Sequence, residues 1–227
     1  MELFNFRSWA RTLLVYCGAG AFCAAGIIAR GADCLAPPDG LVSWWAGNGD
    51  ARDQAGVQPG DLRGVTTFAP GLAGPAFKLN GASDYIYVAD GPALRPAQLT
   101  VAAWINAAVL NPAAFHTIIS RGTSGSFPGM PGNSDTYFLG IYQRKPYFGT
   151  FHAVSGDQVI TATNVVTTNE WHFLAASFDG QTAKLYYDGV LATNLAVTNA
   201  LVYDSAAVPV LIGEDWNQNN PANIKFN

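Results

Sequence analysis

With 227 residues, 49% of them apolar and only 12% charged, the chain can bury one substantial core, and its surface is unusually neutral. A formal net charge of −4 argues against nucleic acid as a partner, because an acidic surface is repelled by phosphates. The 24 glycines and 13 prolines mark a turn-rich chain, and no stretch of it carries the apolar spacing of a sustained amphipathic helix.

In chain order, Arg7 and Arg11 precede an apolar run over residues 12–29 that contains Leu13, Leu14, Val15, Ile27 and Ile28 among glycines and alanines. A charged n-region followed by an apolar h-region is the order of a secretory signal, here residues 1–32 with cleavage near Gly31 or Ala32. So many glycines and alanines insert weakly as a retained anchor, and no second apolar span follows, so no membrane span is expected after cleavage. Removal takes away Arg7, Arg11, Arg30 and one acid, Glu2, and leaves the remainder more acidic. It also removes Cys17 and Cys23, which leaves Cys34 alone and no internal disulfide to form. Residues 33–40 contain Pro37-Pro38 and read as a stiff linker.

Residues 41–45 read as a first strand, and residues 48–72 as a Gly- and Asp-rich loop with a short strand near 65–68. Residues 76–79 and 85–89 flank Asn80-Gly81, the dipeptide of a tight hairpin turn. A buried strand follows over 98–107, with Leu99, Val101, Ala103 and Ile105 on one side and Ala102 and Trp104 on the other. Residues 117–120 form a short strand, and 122–136 a loop of Gly, Ser, Pro and Asn, long enough to be functional. Strands over 137–143, 147–154 and 159–166 come next, joined by turns at Lys145-Pro146 and at Ser155-Gly156-Asp157.

Residues 170–189 organise the remainder. Trp171, Phe173 and Ala175 alternate with Leu174, Ala176 and Phe178, the pattern of a strand covered on both faces, and this places Trp171 in the core. Asp179-Gly180 and Asp188-Gly189 bracket a second strand and supply the positive φ angles that tight turns need. Strands over 190–196 and 208–213 complete the series. The wording of this stretch resembles the Trp-His, Asp-Gly, Lys-Leu-Tyr-x-Asp-Gly signature of laminin G-like domains of the concanavalin A-like lectin/glucanase superfamily. Phe77-Lys-Leu-Asn-Gly-Ala-Ser-Asp-Tyr-Ile-Tyr-Val88 and Leu41-Val-Ser-Trp-Trp45 are similar to further segments of that family. The resemblance implies an all-β fold, an antiparallel two-sheet jelly-roll sandwich over residues 41–227. In that family a Phe-x-Gly-x-Ile-Asp-Glu-Val motif closes the sandwich after a Leu-Ile-Gly segment. Only residues 214–227 follow Leu211-Ile212-Gly213 here, so the last strand is expected to be missing.

Catalytic chemistry finds little to work with. Glycoside hydrolysis needs two facing carboxylates, yet no acids stand at i, i+2 in this chain, and after residue 32 Glu170 and Glu214 are the only glutamates. His116, His152 and His172 lack metal-ligand spacing, and no Gly-x-Ser-x-Gly elbow occurs. His172 is expected as a partly buried strand histidine. Calcium is the candidate metal, because rim loops of a sandwich can offer hard oxygens: Asp84 follows a Gly-Ala-Ser turn, and Asp215 stands with Glu214, Asn217 and Asn219. For sugar binding, flat aromatics near loops are the candidates, namely Tyr142, Tyr147 and Trp216, with Phe127 beside them. Trp44, Trp45 and Trp104 are assigned with Trp171 to the core.

These readings converge on a secreted or cell-surface module of a bacterium, extracellular or periplasmic and not an enzyme, whose partner is a carbohydrate or a surface protein. The alternative is an architectural part of a larger cell-surface protein with no ligand of its own. A hydrolase ranks third, for want of the carboxylate pair.

Overall fold

The computed structural model describes residues 37–122, 135–152, 154–203 and 207–214. The chain divides into two units, Met1–Leu41 and Val42–Asn227, and every described strand belongs to the second. The expected signal segment lies outside the described residues.

Among the described residues, thirteen strands follow in chain order: β1 (Gly60–Arg63), β2 (Thr67–Gly71), β3 (Gly74–Lys78), β4 (Tyr85–Val88), β5 (Leu99–Asn106), β6 (Phe115–Gly122), β7 (Asp135–Tyr142), β8 (Lys145–His152), β9 (Gly156–Thr161), β10 (Trp171–Phe178), β11 (Thr182–Tyr187), β12 (Val190–Ala196) and β13 (Val210–Ile212). They build a seven-stranded sheet in the order β1-β4-β13-β6-β7-β8-β9, a four-stranded sheet in the order β12-β11-β10-β5, and the separate ribbon β2-β3. All pairings are antiparallel.

Alternation sorts each strand into an inner and an outer face. Tyr137, Leu139 and Ile141 of β7, Phe148 of β8 and Ile86 and Val88 of β4 meet Leu174, Ala176 and Phe178 of β10 and Leu185 of β11 in one apolar core. Leu139, Ile141, Phe148, Leu174 and Leu185 are fully buried there. At about 1.5–3 kcal/mol for each such side chain, this core is the main source of stability.

Several expectations need correction. Residues 41–45 form no strand: Trp45 makes only an isolated bridge to Asp53, and Trp44 N–H donates to Asp53 Oδ1 at 2.8 Å. Asp53 also accepts from the backbone of Ala55, Gly56 and Gln58, so one carboxylate replaces the ladder a strand would have made. The segment read as loop before residue 72 carries the unexpected β1, and its second strand is β2 rather than 65–68.

Asn80-Gly81 closes no hairpin either. The Asn80 side chain accepts from the backbone N–H groups of Ala82, Ser83 and Asp84, and Gly81 takes φ +65°, which makes a corner. The chain is thereby sent from β3, paired with β2, to β4, paired with β1 and β13. The turn expected at Lys145-Pro146 sits one step earlier, at Gln143 and Arg144, which both take positive φ; Lys145 and Pro146 belong to β8.

Trp171 is half-buried rather than core, and Trp44 and Trp104 are 52% and 50% exposed. The two-sided apolar pattern of β10 has a different origin from the one expected. His172, Leu174, Ala176 and Phe178 enter the core, whereas Trp171 and Phe173 stand on the outer face, where Phe173 and Trp104 cover each other. Trp45 alone among these tryptophans packs against the core, its indole N–H donating to the Gln58 carbonyl at 2.8 Å.

Candidate functional site

The positive-φ turn at Gln143 and Arg144 fixes the β7–β8 register, Tyr142 opposite Lys145 and Gly140 opposite Tyr147. Since Tyr137, Leu139 and Ile141 face the core, Phe138, Gly140 and Tyr142 line the outer face, joined there by Phe115, which pairs with Tyr142, and by Tyr147. Phe115 and Tyr142 stack at 4.2 Å with an interplanar angle of 13°. Tyr147 meets Phe115 and Phe138 edge-on at 5.6 and 5.5 Å.

Gly140 makes the cluster possible. A Cβ there would lie 2.9 Å from Phe138 Cζ and 2.6 Å from the His116 carbonyl oxygen, so only the bare backbone lets the Phe138 ring lie across it. Phe138 becomes the buried floor, while Phe115, Tyr142 and Tyr147 keep part of their rings in solvent. Thr117, opposite Gly140, is buried with its hydroxyl unpartnered. Burial, with Asp157 and Asp135 nearby, pushes the Tyr147 phenol up, so it stays a neutral donor. The result is an aromatic platform with phenol hydroxyls at its edge, suited to flat, hydroxyl-bearing ligands.

Of the sequence-predicted site residues, Tyr142 and Tyr147 are thus brought together. Trp216, Asp215 and Phe127 lie outside the described residues. Asp84 is 2% exposed and serves the β3–β4 corner: Oδ1 accepts from Val65 N–H at 2.7 Å and Oδ2 from Asn80 N–H at 3.1 Å. Among the described residues, no three His, Cys, Asp or Glu side chains are grouped to hold a metal. Glu170 is exposed and accepts from the Thr167 hydroxyl, and the Glu214 backbone oxygen accepts from Ser120 Oγ at 3.0 Å.

Two polar constellations escaped the sequence reading. In the first, the fully buried Arg121 pairs with Asp90, which also pairs with Arg95, while the guanidinium lies 5.1 Å from the Tyr203 ring centre. Burial pushes the Tyr203 phenol up to about 12, with Arg121 pulling the other way. An arginine inside an apolar strand was the available signal, but its partner lies 31 residues away. In the second, His172, 8% exposed, places Nδ1 3.0 Å from Asp188 Oδ2 and Nε2 2.8 Å from Thr167 Oγ1, and its ring stacks on Tyr187. Asp188 Oδ1 also accepts from Phe173 N–H at 2.8 Å, tying the start of β10 to the β11–β12 turn. No helix among the described residues is long and apolar enough to cross a membrane.

A laminin G family model, described as concanavalin A-like lectin/glucanases superfamily, matches residues 80–226. No curated protein matches the sequence. Among solved structures, the chain is similar to domain 4 of AbnA, a GH43 extracellular arabinanase from Geobacillus stearothermophilus, in complex with arabinotriose; identity is 20%, the TM-score 0.57, and the match covers 78% of this chain and 83% of that one. It is also similar to the binding domain of Paraclostridial Mosquitocidal Protein 1, at 11% identity and a TM-score of 0.57, over 75% of this chain and 43% of that one. A third is the binding domain of botulinum neurotoxin DC in complex with rat synaptotagmin II, at 14% identity and a TM-score of 0.54, over 71% of this chain and 40% of that one. The chain therefore spans less than half the length of the two toxin binding domains. At such identities the likeness speaks for the fold.

Proposed function

The chain belongs to the concanavalin A-like lectin/glucanases superfamily, and from that premise we propose that it is a non-catalytic binding module that acts outside the cell and takes a carbohydrate on the outer face of its seven-stranded sheet. The observation that carries this reading is the platform of Phe115, Tyr142 and Tyr147 over the Phe138 floor. Aromatic faces stack on the apolar faces of sugar rings, and phenol hydroxyls at the edge can read sugar hydroxyls. The reading gains support from AbnA domain 4, whose structure holds arabinotriose. The complex of botulinum neurotoxin DC with synaptotagmin II supports a protein partner as the second reading.

A glycan array probed with the full chain, followed by calorimetry on the best glycan, tests the proposal. Tyr147→Ala is expected to weaken binding by about tenfold, the equivalent of one good aromatic contact, while the melting temperature shows that the fold persists. Binding that survives both Tyr142→Ala and Tyr147→Ala at full strength would remove this face from consideration.

A further inference from the structure

The outer face of the four-stranded sheet carries a second aromatic arrangement, on a different sheet from the first. Its cross-strand register sets out three rows. Phe173 stands opposite Trp104, with Trp171 opposite Asn106 just beyond. Next come Ala175 opposite Ala102, with Tyr186 on the other side of Ala175. Then come Ser177 opposite Thr100, with Lys184 and Asn194 continuing the row. The Trp104 and Phe173 rings lie 5.3 Å apart at 50°, and Trp104 is half exposed. Ala102, exposed beside the buried Ala175, leaves a low floor between an aromatic wall and a wall of hydroxyls and amide.

We propose that this trough is a second carbohydrate site, and that it takes a neutral polysaccharide chain. Charge selects the ligand class. The one cation of the three rows, Lys184, is paired with Asp179 at 3.1 Å, and the acid beside Phe173, Asp188, is held by Phe173 N–H and by His172, so neither a cationic nor an anionic polymer finds a free counter-charge. Size selects against a folded protein. Four strands about 4.8 Å apart and about 20–26 Å long give a footprint of roughly 450 Å², below the roughly 800 Å² that each partner of a stable protein complex buries. From Trp104 to Thr100 the strand runs about 13 Å, room for a short run of sugar rings between stacking and hydrogen-bonding groups. The site goes beyond the function proposed above, because with both faces occupied one module would join two polysaccharide chains.

Affinity electrophoresis of the full chain in gels containing neutral arabinan, xylan or hydroxyethyl cellulose, with polygalacturonate as the charged comparison, tests the site. Trp104→Ala is expected to weaken retardation in at least one neutral gel by about 3- to 10-fold, and Trp104→Phe to restore most of it. Light scattering of the same mixtures adds a readout that a structural role would not move: the wild-type chain is expected to cross-link the soluble polymer, and Trp104→Ala to bind it without cross-linking. Unchanged retardation and scattering for Trp104→Ala, in a protein of unchanged melting temperature, would overturn the second site. Loss on Trp104→Ala together with no loss on Tyr142→Ala and Tyr147→Ala would uphold it while the platform on the other sheet fails. Retardation by polygalacturonate alone would overturn the neutral-ligand assignment.

Discussion

Arg121 donates from Nη2 to Asp90 Oδ1 at 2.8 Å, a side chain with no solvent exposure meeting a carboxylate that is 9% exposed. Burial alone raises the Asp90 carboxyl, but its bonds to Arg95 and Arg121 outweigh this and hold it below the usual carboxylate range. Removing one partner strands the other charge in the interior, which costs about 3–5 kcal/mol where a pair is this buried. Asp90→Asn is expected to show a loss of that order in denaturant unfolding. Arg121→Met should lose less, since it removes the buried charge and leaves Asp90 with Arg95. A loss below about 1 kcal/mol for Asp90→Asn would show that the pair adds little.

Acid should weaken the fold through the same kind of group. Asp53 and Asp179 are raised by burial but lowered further by backbone N–H bonds, and Asp179 also by Lys184. With Asp90 they have folded-state values below the ordinary carboxylate value near 3.8. Their contribution is fully present above the unfolded value and disappears as pH falls through the folded one. Melting temperature is therefore expected to fall below about pH 4. Asp53→Asn should flatten that fall, and an identical acid limb in the variant would exclude Asp53 as a contributor.

Gly140→Ala is expected to disrupt the platform without touching an aromatic residue. The added methyl would meet the His116 carbonyl oxygen at 2.6 Å, a backbone atom that cannot swing away, as well as the Phe138 ring. Overpacking of this kind costs about 1–3 kcal/mol. Loss of stability together with weakened glycan binding is the expected pair of outcomes; at Gly149, where a Cβ would meet nothing closer than 3.8 Å, the same substitution should be mild.

Asp84 separates a turn role from a metal role. Asp84→Ala removes the carboxylate that accepts from the N–H groups of Val65 and Asn80, and losing hydrogen bonds to a charged group costs about 1.5–3 kcal/mol. The same loss is expected in millimolar calcium and in chelator. A difference that grows with calcium would instead place the metal at this carboxylate, because a ligand bound only by the folded state adds stability that the variant lacks.

How much of this the sequence could show depends on the range of each interaction. The β10–β12 meander was legible because Asp-Gly turns and alternating apolar residues act within a few positions, and Asp188 and Gly189 do take φ of +48° and +79°. β1 was not, because Gly60–Arg63 has little strand character of its own and is held by pairing with Tyr85–Val88. Trp171 misled for a third reason: an aromatic row that covers itself on an outer face has the same alternation as one buried under a second layer. At the site, Tyr142 and Tyr147 could be named from their nearness to a turn. Phe115 and Phe138 could not, since only the register of β6 on β7 shows which side they take.

The seven-stranded sheet has a seam. β13, three residues long, lies between β4 and β6, so among the described strands β1 and β4 join β6 to β9 through Val210, Leu211 and Ile212. During synthesis, everything through β9 can emerge and form hairpins while the two parts of the sheet remain unjoined. Residues 210–212 then have to enter a slot whose walls lie more than a hundred positions back along the chain at β4 and about ninety at β6. Such distant pairing is slow, because loop closure precedes any return in contacts. The rate of folding should thus be set by arrival of this short strand, and until it arrives the facing backbone groups of β4 and β6 are open to any other extended segment, in this molecule or the next.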